Sequence, residues 1–162
     1  MDTLWTPWRM AYILGDKPEG CVLCDKPRDD RDRDNLLLHR GRHCYVIMNL
    51  FPYNPGHLLI APYKHTASFE QLDQETIVEA TTLLSASMGI LRAAVSPHGF
   101  NVGMNIGKVA GAGIDEHVHM HIVPRWGGDT NFMPVISDTR VVPEALASTY
   151  DHLLPFFEKL ES

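Results

Sequence analysis

The sequence predicts an α+β fold with a mainly antiparallel sheet, and three observations carry that prediction. Short β-patterned runs follow one another at hairpin-length separations, three of them between residues 35 and 62 and two more between residues 100 and 124. One long stretch, from about Leu72 to Val95, has helical periodicity instead. A parallel βαβ arrangement needs a crossover helix between successive strands, and the chain does not supply enough of them.

Each element has its own reason. The opening "LWTPWRMAYI" is aromatic and apolar without periodicity and is expected to pack on the body of the protein; it lacks the basic-then-apolar order of a secretory signal. "KPRDDRDRD" (26–34) is charged with mixed signs and reads as a solvated loop. "NLLLH" (35–39) and "HCYVIMNL" (43–50) read as strands joined by "RGR", and "YNPG" (53–56) is turn chemistry leading into the strand "HLLIAP" (57–62). Ile77, Ala80, Leu84, Met88, Leu91 and Val95 then recur at steps of three and four, one face of a helix with Asp73 as N-cap and "SPHG" (96–99) as its stop. "FNVGMNIG" (100–107) and "HVHMHIVP" (117–124) are two further strands around the loop "KVAGAGIDE", and "PEALASTYDHLLPFFEKL" (143–160) is a helix kinked or interrupted at Pro155. The expected organisation is one domain over 1–162, with its core at about 20–133 and a C-terminal helical extension at 143–160.

Composition narrows the function classes. At 162 residues, 44% hydrophobic and 21% charged, the chain suits one globular domain with a real core. A formal charge of -6 offers no broad basic face for a nucleic-acid backbone. No uninterrupted apolar run reaches the ~20 residues of a bilayer span, so no membrane partner is expected. Three cysteines are an odd number, and the pair in "CVLC" (Cys21 and Cys24) reads as metal or redox chemistry rather than a structural disulfide. The expected compartment is the cytoplasm.

The chemistry concentrates in "HVHMHIVPRW" (117–126). Side chains alternate along a strand, so His117, His119 and His121 share one face while Val118, Met120 and Ile122 seal the core from the other, leaving the imidazoles on an accessible surface. The outer two lie about 13 Å apart, too far for one metal to hold all three. A neutral imidazole is a nucleophile near pH 7, and its attack on phosphorus makes a phosphoramidate that a second acceptor can break. The central His119 is the geometric choice for nucleophile. The preceding "GKVAGAG" (107–113), rich in glycine and alanine, lets backbone N–H groups approach an anion, though it lacks the Lys-Ser/Thr of a Walker loop.

These residues resemble a known family. "HVHMHIV" follows the alternating signature of the histidine triad (HIT) superfamily of nucleotide hydrolases and transferases. "NLFPYNPGHLLIAPYKH" (49–65) is similar to that family's nucleotide-binding segment, and "NVGMNIGKVAGAG" with "HIVPRWGGDTNF" resembles its bacterial branch that includes diadenosine tetraphosphate phosphorylases. The resemblance implies a five-stranded antiparallel sheet with one long helix, paired in a homodimer so that two sheets become continuous. It implies that His119 attacks the α-phosphorus of an adenosine-type nucleotide or dinucleoside polyphosphate, with His117, His121 and His57 completing the catalytic set. Asn49 falls where relatives hold the ribose, Leu50 and Phe51 flank the base, and Asn105 faces the phosphates. Many relatives carry an amide and a hydroxyl side chain before the triad, on a loop one residue shorter. Here Gly111, Ala112 and Gly113 stand in their place, so backbone amides would take over and the opened loop would admit water or inorganic phosphate as acceptor. Magnesium would accompany the substrate's phosphates.

Cys21 and Cys24 could be joined by His65 and His117 in a Cys2His2 zinc site, an assignment that resembles several bacterial relatives and would make the metal structural. The remaining candidates read as structural: Cys44 as a small core residue, His39, His43, His98 and His152 as surface or hydrogen-bonded groups, and Trp126 as packing, with Arg125 near enough to the triad to meet substrate. Two other functions stay open. A nucleotide-binding module would need phosphate donors but no central nucleophile, and replacing His119 discriminates the two; a redox switch on "CVLC" would show activity that follows thiol oxidation.

Overall fold

The computed structural model describes residues 20–129 and 146–160. The N-terminal aromatic segment, the stretch 130–145 and the start of the C-terminal extension lie outside the described residues.

Helix α1 (Val22–Asp25) and a 3-10 turn (Lys26–Arg28) lead to α2 (Asp32–Asn35) and then to strands β1 (Leu37–Arg40), β2 (Cys44–Met48) and β3 (Leu58–Pro62). Helix α3 (Gln74–Val95) precedes β4 (Gly99–Gly103) and β5 (Met120–Arg125), and α4 (Leu146–Phe157) closes the described chain. The strands form one five-stranded sheet in the order β1-β2-β3-β5-β4, antiparallel throughout, as an α+β chain with hairpin-length connections requires.

Alternation sorts the sheet into two apolar faces. Cys44, Val46, Met48, Leu58, Ile60, Met120 and Ile122 point toward α3 and α4 and form the main core with Leu83, Leu91, Tyr150, Leu153 and Phe157. Tyr45, Ile47, Leu59 and Ala61 point the other way and pack under Cys21 and Leu23. The Tyr45 hydroxyl donates to Leu23 O at 2.5 Å, which fastens the N-terminal segment to this second face.

The long helix begins where expected: Asp73 caps it by accepting from Thr76 N–H at 2.8 Å, and Ser96 ends it in the left-handed region at φ 47°. Its buried stripe is rotated from the one read off hydrophobicity. Thr76, Ala80, Leu83, Ser87 and Leu91 are buried, while Ile77, Leu84, Met88 and Val95 flank them half-exposed, because small side chains at 76, 80 and 87 let the helix backbone approach the sheet. By length and a mean hydropathy of 1.2 this helix could cross a bilayer, which the absence of an unbroken apolar run had hidden; it instead lies against β2, β3, β5 and α4. Ser87 Oγ is buried without a hydrogen-bond partner. Ser87→Ala is therefore expected to stabilise the protein by about 1 kcal/mol, read as a higher urea midpoint at unchanged slope.

Two further readings are corrected. The charged run at 26–34 is folded rather than a loop: Arg40 reaches Pro27 O and Asp29 O at 2.7 Å and pairs with Asp32 at 2.6 Å, and Arg33 pairs with Asp151 at 2.7 Å. Directional hydrogen bonds to backbone carbonyls give those charges fixed positions that composition does not reveal. At Pro155 the interruption is what is corrected: helix α4 continues through it to Phe157, the missing N–H forfeiting one bond.

The β1–β2 connection is tight. A Cβ at Gly41 would lie 1.9 Å from Glu79 Oε1 and 2.8 Å from Cys44 O, while Glu79 Oε2 accepts the His43 N–H at 2.8 Å. Gly41→Ala must displace a backbone carbonyl as well as the carboxylate. The expected cost is about 1–3 kcal/mol, visible in thermal unfolding.

Candidate active site

The histidines belong to the second face, and they are not open to solvent as their alternation alone suggested. His57, His117 and His119 are 1%, 0% and 5% exposed and His121 is half-buried; Cys21, on the segment that packs over this side of the sheet, meets His117 directly. The strand proper also starts at Met120 rather than at residue 117. Pro62, at the end of β3, has no N–H to extend the ladder; its carbonyl accepts instead from His117 Nε2 at 2.8 Å.

Hydrogen bonds assign the tautomer of each imidazole. Tyr53 N–H donates to His57 Nδ1 at 3.0 Å, so the His57 proton sits on Nε2, 2.9 Å from His121 Nδ1. Accepting there leaves the His121 proton on Nε2. His119 Nδ1 lies 2.8 Å from the His117 carbonyl, which can only accept, so His119 carries its proton on Nδ1 and keeps a lone pair on Nε2. Burial lowers the His119 pKa, against the raising effect of that carbonyl, and favours the neutral ring. The rings of His119 and His121 meet edge-on with centroids 4.8 Å apart. A nitrogen lone pair and an N–H donor thus stand side by side.

Both rings line a cavity of about 110 Å³, with Asn49, Phe51, Tyr53, Leu59, Asn105, Gly111, Gly113 and Ile114. Asn49 Oδ1 accepts from Phe51 N–H at 3.0 Å, which turns the loop after β2 across the cavity, and its amide nitrogen lies 3.3 Å from His57 Nδ1. Of the residues singled out in the sequence, Leu50 is 50% exposed and is not in the lining, and neither is Ala112. His57 stands behind His121. His117 turns away, both ring nitrogens engaged elsewhere, and meets the site only through the carbonyl that holds His119. Sequence reading missed Tyr53, Leu59 and Ile114. Leu59 was within reach, because it pairs with His121 across the β3–β5 register and so shares its face.

The glycine loop folds as a 3-10 turn (Lys108–Ala110) between Gly107 and Gly111, at φ 83° and 85°. Within the turn Gly111 N–H donates to Lys108 O at 2.9 Å and Ala112 N–H to Gly107 O at 3.4 Å. Of the three amides expected to meet an anion, that of Gly113 is the uncommitted one.

Against the covered end of the histidine row lie Cys21, Cys24, His65 and His117, whose donor atoms all fall within 4.8 Å of one another. His117 Nδ1 is 3.3 Å from Cys21 Sγ and 3.4 Å from Cys24 Sγ, and His65 Nδ1 is 3.3 Å from Cys24 Sγ. Metal–sulfur and metal–nitrogen bonds of about 2.3 and 2.0–2.1 Å in a tetrahedron put neighbouring ligand atoms about 3.5 Å apart, so the set fits a tetrahedral dication. Donation from His117 Nε2 to Pro62 O leaves Nδ1 as the free ligand nitrogen. Burial, then the neighbouring Cys21, pushes the Cys24 thiol up to about 11; a dication would reverse that by binding the thiolate.

The other candidates have structural partners. Cys44 is in the main core, His98 Nδ1 accepts from Gly127 N–H at 2.8 Å, His152 Nε2 donates to Ala94 O at 3.0 Å, and Trp126 Nε1 donates to Val95 O at 3.3 Å. His43 lies 3.4 Å from Glu75, and burial lowers the pKa of His39. Arg125 holds Asp129 through two hydrogen bonds and keeps its carboxyl well below the usual carboxylate range.

Comparison with known proteins agrees with this geometry. Residues 31–128 match the HIT domain model. The chain is 36% identical over 157 residues to an AP-4-A phosphorylase of Mycobacterium tuberculosis, covering 92% of this chain and 80% of that protein. It is 31% identical over 80 residues to an adenosine 5'-monophosphoramidase of Schizosaccharomyces pombe, covering 49% of this chain and 56% of that one. Among solved structures, a zinc-bound histidine triad family protein from Mycobacterium smegmatis superposes with a TM-score of 0.68 at 20% identity, over 86% of this chain and 94% of the other. A hypothetical histidine triad nucleotide-binding protein from Sulfolobus tokodaii gives 0.67 at 24% identity, over 86% and 90%. Five antiparallel strands, a buried histidine row over a cavity and a matching domain model lead to one conclusion: this chain belongs to the HIT domain family.

Proposed function

We propose that the protein is a nucleotide hydrolase or transferase that cleaves adenylyl substrates, dinucleoside polyphosphates among them, at the α-phosphorus. One observation carries this reading: His119, whose Nε2 keeps its lone pair, and His121 beside it line one cavity together with Asn49 and Phe51. Named activities of the M. tuberculosis and S. pombe relatives support the substrate class.

In the reaction His119 Nε2 forms a bond to phosphorus as the bridging P–O bond breaks, and the electron pair leaves on the departing phosphate oxygen. Charge that develops on the His119 ring is held by the His117 carbonyl through Nδ1–H. His121 Nε2–H, set by the Tyr53–His57 relay, donates toward the phosphate oxygens. Water or inorganic phosphate then attacks the nucleotidyl group and restores the lone pair on His119. Asn49 is assigned to the ribose, Phe51 and Leu50 to the base, and Asn105 with the Gly113 amide to the phosphates. Any magnesium ion would arrive on the substrate's phosphates and screen their charge.

Zinc is the proposed occupant of Cys21, Cys24, His65 and His117, where it would supply a structural cross-link between the N-terminal segment and the residues leading into β5. We further assign the chain a single domain with its core at about 20–133 and a helical extension, a homodimeric state and a cytoplasmic location.

Product analysis on diadenosine tetraphosphate, with and without inorganic phosphate, tests the activity. ADP plus ATP only with phosphate identifies phosphate as the acceptor. AMP plus ATP in both tubes identifies water. No product in either tube overturns the reading.

A further inference from the structure

A second cavity, about 380 Å³, begins where the first ends. The two share Tyr53, Asn105 and His121, but His119 lines only the smaller one. From His121 the larger cavity runs away from the nucleophile, along β5 to Arg125 and across to Asn101 on the edge strand β4. In-line displacement sends the leaving oxygen away from the attacking nitrogen, so the group that departs from His119 is directed past His121 into this space.

Its size and polarity restrict what fits. At about 380 Å³ it is within the range of pockets that hold a nucleoside-sized group, and an ammonia leaving group would need none of it. Its one cation is already matched, since Arg125 donates to both carboxylate oxygens of Asp129 and to Asn101 Oδ1. What remains is neutral hydrogen-bonding capacity. Asn54 Nδ2 donates to Pro124 O at 2.9 Å and Asp129 Oδ2 at 2.8 Å, which leaves its Oδ1 to accept. Asn101, with Oδ1 accepting from Arg125 Nη1 at 2.7 Å, keeps its amide hydrogens to donate. An acceptor and a donor held rigidly by one ion pair suit the edge of a heterocyclic base better than a further phosphate.

We propose that this second cavity receives the nucleoside carried by the leaving group, and that Asn54 and Asn101, fixed by the Arg125–Asp129 pair, make the protein selective for two-headed nucleotides over small adenylyl conjugates. This rests on the adenylyl-transfer reading above and deepens it. Asn101→Phe fills the cavity from β4, where Asn101 is exposed in the single chain. The measurement is the ratio of kcat/KM for diadenosine tetraphosphate to that for adenosine 5'-phosphoramidate. It is expected to fall at least tenfold in Asn101→Phe and several-fold in Asn101→Ala; an unchanged ratio, whether both activities fall or neither does, overturns the proposal. A second measurement does not need turnover. In a His119→Ala background, the affinity of diadenosine tetraphosphate relative to AMP is expected to drop at least fivefold when Asn101→Phe is added. A dinucleotide with no advantage over AMP before the change, or the same advantage after it, overturns the proposal. If the unmodified protein turns over neither substrate, the catalytic reading fails by itself and this affinity ratio decides what the cavity holds.

Discussion

His119→Ala is expected to reduce turnover of diadenosine tetraphosphate by at least about 10⁴-fold while nucleotide affinity changes by less than about threefold. The asymmetry follows from position. In the proposed mechanism His119 Nε2 supplies the bond-forming lone pair, whereas Asn49, Phe51, Asn105 and Gly113, which line the same cavity, are assigned to binding and remain in place. His121→Ala should be milder, about 10²–10⁴-fold, because a hydrogen-bond donor is lost rather than the nucleophile. Single-turnover kinetics and equilibrium binding of AMP separate the two effects. A His119→Ala protein that keeps its turnover would remove the nucleophile from the mechanism, and one that loses affinity in proportion to activity would make His119 a binding residue.

The second large effect is expected at the cysteine–histidine cluster. Purified protein should contain about one zinc per chain, and a Cys21→Ser, Cys24→Ser double variant should lose it together with at least about 3 kcal/mol of stability. For a domain of this size that corresponds to a melting temperature lower by about 6–12 °C. Metal analysis with calorimetry checks both halves, and a metal-free protein whose melting temperature ignores chelation would refute the site. The consequence extends to catalysis. His117 contributes its imidazole to the cluster and its carbonyl to His119 Nδ1, so a loosened cluster also loosens the nucleophile. His65 is exposed, and His65→Ala is expected to weaken metal retention with a smaller loss of stability than the cysteine changes.

Much of this site could be seen in the linear chain, and particular residues show why the rest could not. His119 and His121 stand out because alternation is a local property, and the pair Cys21 and Cys24 because their spacing is. Burial is not local: His117, 0% exposed, meets Cys21 across 96 positions of the chain. The contact between His57 and His121 spans 64 positions, and it sets which nitrogen carries the His121 proton. The rotated face of α3 has the same origin, since Thr76 and Ser87 are buried by their fit to the sheet rather than by hydrophobicity.

The sequence by itself determined the five strands, the long helix with its Asp73 cap, and the histidine row with its candidate nucleophile, because period, capping and turn chemistry act over a few residues. Only the tertiary structure decided which imidazole nitrogens keep a lone pair, that His117 turns away from the cavity His119 lines, and that a second cavity opens beyond His121. Those outcomes depend on hydrogen bonds and packing between segments distant in the chain. No local pattern encodes them, since each partner acquires its role only when folding brings the other within about 3 Å.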